Sequence, residues 1–297
     1  SRLIKYVDKD YQKLYEARIG LISFAGGVDD LIAKVPQRLT NHPGLIHDRI
    51  RWRIKKRKYD SALELLLSIS DNDPAKLQKP EKFWRHKNIL IRRLIDKHQY
   101  NTAYKLATNH GLTSNADIAQ AEWMAGWISI TFLGDPSNAL EHFREIWEVS
   151  SRPISKARAA YWMGKSYEKL GNKEESQKWY GKASVYSLTF YGQLAGTKSE
   201  ENIFFNPIVN VAKNESNSSI QVNRNIYAAI SLLNEFDRPK IVKKFINDLA
   251  DREDITIASN AMQIATDIER YDFAVQAGKI FYYNNVILDT KSFPLVD

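Results

Sequence analysis

Cysteine is absent from the 297 residues, so neither a disulfide framework nor a thiolate metal site can contribute to the fold. The absence does not choose a compartment, because a protein of an oxidising compartment can also do without disulfides. Glycine and proline are scarce, thirteen and nine, about 7% of the chain against roughly 12% in average usage. That shortage of turn formers argues against a sandwich or barrel of many short strands. The longest uncharged apolar stretch, Trp123 to Gly134, is far shorter than the ~18 residues needed to span a bilayer, so the chain is not expected to be transmembrane. No signal-peptide pattern opens the sequence; Ser1-Arg2-Leu3 leads straight into charged residues, as at a mature terminus or a cut inside a longer protein.

Signatures of catalysis are missing too. His42, His47, His86, His98, His110 and His142 include no pair one helical turn apart, and no His-Glu-x-x-His phrase occurs. Gly26-Gly27 opens neither a phosphate-binding loop nor a dinucleotide fingerprint, and Gly164-Lys165-Ser166 runs on into Tyr167-Glu168 instead of forming a nucleophile elbow. Carboxylates are scattered over polar positions, where solvated surface roles are expected. No catalytic residue, metal site or cofactor is therefore expected in this chain.

What is present is charge, aromatic side chains and repetition. Forty-three Lys and Arg against 35 Asp and Glu leave a net +8. Such a surface favours polyanions, whether nucleic acid, anionic lipid or a carboxylate-rich polymer such as bacterial cell wall, though a lysine-rich helical surface gives the same total. Aromatics make up 11%, with seven tryptophans and fifteen tyrosines, which excludes intrinsic disorder.

A corner phrase recurs along the chain, an aromatic or Gly-Asp/Asn turn followed by a small residue and an apolar run. It reads Tyr59-Asp60-Ser61-Ala62-Leu63, Tyr100-Asn101-Thr102-Ala103-Tyr104, Gly134-Asp135 to Ala139-Leu140, Gly171-Asn172 to Ser176, and Tyr271-Asp272-Phe273-Ala274-Val275. The small residues step from 62 to 103, 139 and 176, intervals of 41, 36 and 37. Periods of about 34–45 residues belong to two-helix repeats that stack into solenoids. Ala160, Gly164 and Tyr167 recur at helical spacing, Gly171-Asn172 supplies a left-handed helix end, and Trp179, Tyr180 and Ala183 follow. These positions resemble a tetratricopeptide-type repeat, and Gly126, Ala139 and Phe143 match it more loosely.

The expectation is an all-α chain, a right-handed superhelix of antiparallel helix pairs that is tetratricopeptide-like in part. Fifteen helices are expected, among them 8–22, 43–57, 80–97, 116–133, 136–149, 153–170 and 187–196. Pro43, Pro80, Pro136, Pro153 and Pro239 each stand where a helix can begin. The expected division is a superhelix over 1–198, a polar Asn- and Ser-rich loop over 199–220, and further helix pairs over 221–297 that end in a linker.

Two features carry binding chemistry. Residues 49–58 hold Arg49, Arg51, Arg53, Lys55, Lys56, Arg57 and Lys58. On a helix, Ile46, Ile50 and Ile54 form one apolar edge and Leu45 and Trp52 another. Arg49 and Arg53 fall between them on the packed side, while Arg51, Lys55 and Lys58 point away. A packed arginine must meet a carboxylate, a backbone carbonyl or a ligand anion. Because the run is one helix with no second patch in register, nucleic acid is not expected as a partner. The second feature is Leu188-Thr189-Phe190-Tyr191-Gly192-Gln193-Leu194-Ala195, where Tyr191 and Gln193 could stack on and hydrogen-bond a sugar ring, or simply begin a buried aromatic helix.

Longer phrases join these pieces: Tyr15-x-Ala17-Arg18-Ile19, Asp48-Arg49-x-Arg51-Trp52, Ala121-Glu122-Trp123-x-Ala125-Gly126-Trp127-Ile128, Phe132-Leu133-Gly134-Asp135-Pro136 to His142-Phe143, Pro153-Ile154-x-x-Ala157-Arg158-Ala159-x-Tyr161-Trp162-x-Gly164, and Phe190 to Ala195. Taken together they resemble the helical region of the soluble lytic murein transglycosylases of Gram-negative bacteria, in their alphaproteobacterial form, over nearly the whole chain. The resemblance implies a periplasmic helical ring that positions glycan for a lysozyme-like domain. That domain cleaves the β-1,4 bond between N-acetylmuramic acid and N-acetylglucosamine, leaving a 1,6-anhydro end. The implied partners are peptidoglycan glycan strands, the enzyme's own catalytic domain and other cell-wall proteins. The family's catalytic Glu-Ser-x-Phe-x-Pro phrase is not matched: Glu215-Ser216 runs into Asn217-Ser218-Ser219, and Met262-Gln263 lacks the glycine of the family's second phrase. No catalytic residue is carried over. A stand-alone tetratricopeptide-like adaptor for a peptide or protein remains the alternative.

Overall fold

A computed structural model describes residues 4–70, 79–199, 208–209, 217–285 and 288–294, and these are predominantly helical. The chain forms two compact units, 1–150 and 151–297. The first holds α1 (Lys9–Ser23), α2 (Val28–Ala33), α3 (Pro43–Lys55), α4 (Tyr59–Ser70), α5 (Pro80–Asp96), α6 (Tyr100–Thr108), α7 (Asn115–Ile128) and α8 (Pro136–Val149). The second holds α9 (Pro153–Lys169), α10 (Lys173–Ser184), α11 (Phe190–Gly196), α12 (Asn217–Glu235), α13 (Pro239–Ala250), α14 (Ile255–Asp267) and α15 (Tyr271–Asn285). Among the described residues the one sheet is a parallel pair two residues long, β1 (Ile208–Val209) beside β2 (Leu288–Asp289). The expected polar loop at 199–220 lies mostly outside the described residues, and α12 already begins inside it.

Local chemistry accounts for the helix ends. Pro43, Pro80, Pro136, Pro153 and Pro239 all occupy the first turn of their helices, where a missing N–H costs nothing. Ser114, Asp135, Asn172, Thr189 and Asp254 cap the N-termini of α7, α8, α10, α11 and α14 through their side-chain oxygens. Six corners among the described residues share one device: a left-handed residue whose successor donates its N–H to a carbonyl five residues back. The residues are Phe24, Arg57, His98, Gly171, Asp237 and Glu269. Their successors bond Gly20, Arg53, Leu94, Tyr167, Leu233 and Ala265 at 2.8–3.0 Å. Only Gly171 signals this conformation by residue type.

Most helices pack chiefly on their neighbours in sequence. In α7–α8 and in α9–α10 the approach uses the same exchange of a small residue for a ring. A Cβ on Gly126 would stand 2.6 Å from the Phe143 ring, and one on Gly164 would stand 2.8 Å from the Tyr180 ring. At the end of α7 the helix widens into a π-helical turn, Ser129–Leu133, which left-handed Gly134 terminates.

In the first unit α3 is wedged between two apolar clusters. Ile46, Ile50 and Ile54 join Leu66, Phe83, Leu90 and Ile91, whereas Leu45 joins Leu14, Leu21 and Leu39 with Trp52 packed against them. The second unit is built around Val242, Ile246, Met262, Phe273 and Phe281.

Candidate functional site

Helix α3 has one more face than its two apolar edges occupy, and that face borders a cleft of about 750 Å³ closed on the other side by the first turns of α5. Its cations are Arg51, Lys55, Arg57, Lys82 and Arg85, against one acid, Glu81. Arg51 and Lys55 are one turn apart on α3, and Lys82 and Arg85 one turn apart on α5, so each pair shares a helix face. The left-handed corner at Arg57 swings its side chain to the mouth, and Ile54, Tyr59 and Ile89 supply apolar wall. Among the described residues none of these cations lies within ion-pair distance of a carboxylate. Arg51 makes one aromatic contact, 5.7 Å over the Phe24 ring.

His47 and His86 lie at the back of the cleft with Nε2 atoms 3.3 Å apart. His47 Nδ1 faces Asp48 Oδ1 at 3.3 Å, and Arg18 of α1 donates to Asp48 Oδ2 at 2.8 Å. Burial pushes the Asp48 carboxyl up, but the hydrogen bonds from His47 and Arg18 outweigh it and hold it below the usual carboxylate range. With the His47 proton on Nδ1 toward Asp48, His86 donates across the pair, and His86 Nδ1 is left buried without a hydrogen-bond partner. Burial first, then the charges of His47, Arg85 and Arg51, lower His86 to about 4. The cleft is thus cationic at its walls, with the low pKa of His86 leaving that ring uncharged, an arrangement suited to anions.

The arginines singled out from the sequence lie elsewhere on the same helix. Arg53 is half-buried and donates to the Ser61 carbonyl at 2.8 Å, tying α3 to the first turn of α4. Of the three partners open to a packed arginine, it has taken a backbone carbonyl. Arg49 is also half-buried, with an Nε that meets no acceptor; burial first, and then the charge of Arg53, lower its guanidinium pKa against the opposing pull of Asp29. Neither lines the cleft. Arg51, which helical angle alone sends outward, is half-buried on the cleft wall because α5 rises beside α3.

Tyr191 and Gln193 are on α11 but do not face one another, since residues two apart on a helix point in different directions. Tyr191 is half-buried against the Tyr161 ring at 5.3 Å, whereas Gln193 is exposed. The exposed aromatic there is Phe190, 71% accessible and one turn from Gln193. Arg49 and Arg53 belong to the first unit, and Tyr191 and Gln193 to the second.

Besides Asp48, three more charged groups are buried, and the acids among the four contradict the surface role expected of carboxylates. Glu122 of α7, 5% exposed, accepts from His110 Nε2 at 2.9 Å and His142 Nδ1 at 2.5 Å. His110 Nδ1 accepts from the Leu112 N–H, which places the ring proton on Nε2. His142 Nε2 meets Tyr104 Oη at 2.8 Å, and that oxygen accepts from Asn138 Nδ2 at 2.6 Å. The chain of bonds links α6, α7 and α8. Burial raises the Glu122 carboxyl, but the two imidazole hydrogen bonds and ring charges prevail and hold it down to about 2. Asp289, fully buried, accepts from Ser259 Oγ at 2.6 Å and caps a short turn through Lys291 N–H. Lys87, 0% exposed, donates to the Asn109 carbonyl just past α6, and burial lowers its pKa to about 8. The paired groups of Glu122 and Asp289 and the buried amine of Lys87 act as internal ties.

Among the described residues no group of three or more His, Asp or Glu side chains could hold a metal ion, and no helix is long and apolar enough to cross a membrane. Compared with known proteins, the sequence matches no family model and no curated sequence.

Proposed function

We propose that this chain is the helical module of a periplasmic lytic transglycosylase, holding peptidoglycan for a catalytic domain that lies outside this sequence. The observation that carries the reading is the cleft between α3 and α5, where five cations with no carboxylate partner among the described residues surround one concavity. A carboxylate-rich polymer is the ligand such a surface attracts. The matching Gly126–Phe143 and Gly164–Tyr180 contacts support the architectural half of the proposal, a tetratricopeptide-like, right-handed superhelix of antiparallel pairs. In such an array the buried ties join neighbouring helices from α5 to α8, and the cleft is left for the ligand. An acidic protein segment could use the same cleft, which keeps the stand-alone adaptor as the competing function.

Co-sedimentation with purified murein sacculi tests it. The chain is expected to pellet with sacculi at low salt, to be released at high salt as screening shortens the reach of the cations, and to liberate no anhydro-muropeptides. A folded chain that stays in the supernatant at low salt overturns the cell-wall reading and favours the adaptor.

A further inference from the structure

Peptidoglycan offers a binding module two chemistries, a sugar backbone without carboxylates along its repeat and peptide stems that carry them. The cleft is built for the second. Its cations come from two helices, Arg51 with Lys55 on α3 and Lys82 with Arg85 on α5. Cations carried by both walls suit a ligand with several single negative charges. Guanidinium groups among them accept a carboxylate in a two-bond fork. Ile54, Tyr59 and Ile89 offer apolar contact for aliphatic side chains between those charges. The Tyr59 ring is already covered by Arg93, 4.5 Å away, and so is not free as a platform for a sugar ring. The single acid, Glu81, stands at the first turn of α5, within reach of an ammonium group on the same ligand.

We propose that the α3–α5 cleft binds the carboxylate-bearing peptide stem of peptidoglycan and not its sugar backbone, an inference that rests on the cell-wall reading above. The stem's carboxylates pair with Arg51 and Arg85 across the cleft, and Lys55 and Lys82 hold the flanking charges. The cleft thereby selects strands that still bear peptides.

Calorimetric titration of the full chain with soluble fragments tests this. A disaccharide–tetrapeptide is expected to bind, the disaccharide with its lactyl carboxyl amidated not to bind, and the same peptide with amidated carboxylates to bind roughly tenfold or more weakly. Arg51→Ala/Arg85→Ala, its fold checked by circular dichroism, is expected to lose binding to a similar degree, while Arg252→Ala in the other unit binds as the parent does. Should the double variant misfold, Arg51→Gln and Arg85→Gln singly carry the same test. Equal binding of the disaccharide with its lactyl carboxyl amidated, or no loss on amidation of the peptide, overturns the stem assignment while sacculus binding still stands. Tighter binding of inorganic pyrophosphate than of the peptide assigns the cleft to phosphate and also overturns it. If the chain binds neither sacculi nor any fragment, the cell-wall reading falls with it.

Discussion

Replacing Glu122 by glutamine removes one charge from the middle of the bonded chain that joins α6, α7 and α8, and its effect can be worked from the structure. The carboxyl is lowered from an ordinary 4.5 to about 2. At about 1.4 kcal/mol per pH unit, that difference is worth roughly 3 kcal/mol of folding free energy. Glutamine keeps one acceptor for His110 Nε2 but turns its amide N–H toward His142, which must then shift its proton to Nε2, facing Tyr104 Oη. The shift recovers part of the loss, so Glu122→Gln is expected to cost about 2–3 kcal/mol at pH 7, a fall in melting temperature of roughly 5–10 °C. The sign of the pH dependence follows from the lowered pKa. The contribution is fully present above the unfolded value near 4.5 and is lost as pH falls through about 2. Urea denaturation of parent and variant at pH 7, 5, 3.5 and 2.5 should therefore show a constant gap at the two higher values and a narrowing one below them. A gap that is absent at pH 7, or that persists unchanged to pH 2.5, would falsify the account of Glu122 as a charged internal tie.

Lys87→Met is expected to stabilise the protein by about 1–3 kcal/mol at pH 7, because a buried amine lowered to about 8 must be charged there at a cost; the gain should fade as pH rises through about 8 and beyond the ordinary lysine value of 10.5, above which the parent lysine is neutral in both states, and urea midpoints at pH 7 and above 10.5 check it. Gly164→Ala, which in an exposed helix would gain ~1 kcal/mol, should instead destabilise by about 1–2 kcal/mol, since its Cβ meets a Tyr180 ring anchored to Glu168 at 2.6 Å; a raised melting temperature refutes the close-packing argument. Glu269→Gly should raise stability by roughly 0.5–1 kcal/mol by relieving a left-handed backbone at φ 60°, measured as a higher urea midpoint with unchanged slope.

The helices were legible because their signals are local. Proline in the first turn, Ser, Asp, Asn and Thr caps, and apolar residues at helical spacing each act within a turn or two of chain, so the element ends fall close to the expected ones. The apolar edges of α3 were legible for the same reason: Ile46, Ile50 and Ile54 and the pair Leu45 and Trp52 go to the two clusters that their angles require. Gly164 and Gly126, small residues that the repeat pattern singles out, each stand against a ring of the next helix, Tyr180 and Phe143.

The tertiary structure alone decided what each charge meets. Arg53 was confined to the packed side by its helical angle, but its acceptor, the Ser61 carbonyl, depends on how α4 turns back at left-handed Arg57, a conformation that arginine does not advertise. Arg51 became a cleft residue because α5, about thirty residues onward, stands beside it with Lys82 and Arg85. Glu122 was read as a surface acid because the histidines that hold it, at 110 and 142, are joined to it by no sequence spacing, only by three elements packing together. Helix formation is settled by forces that act over a few residues and can be read along the chain. The protonation and partners of a buried charge are settled by desolvation and by groups that folding brings within 3 Å, and these exist only once the helices are packed.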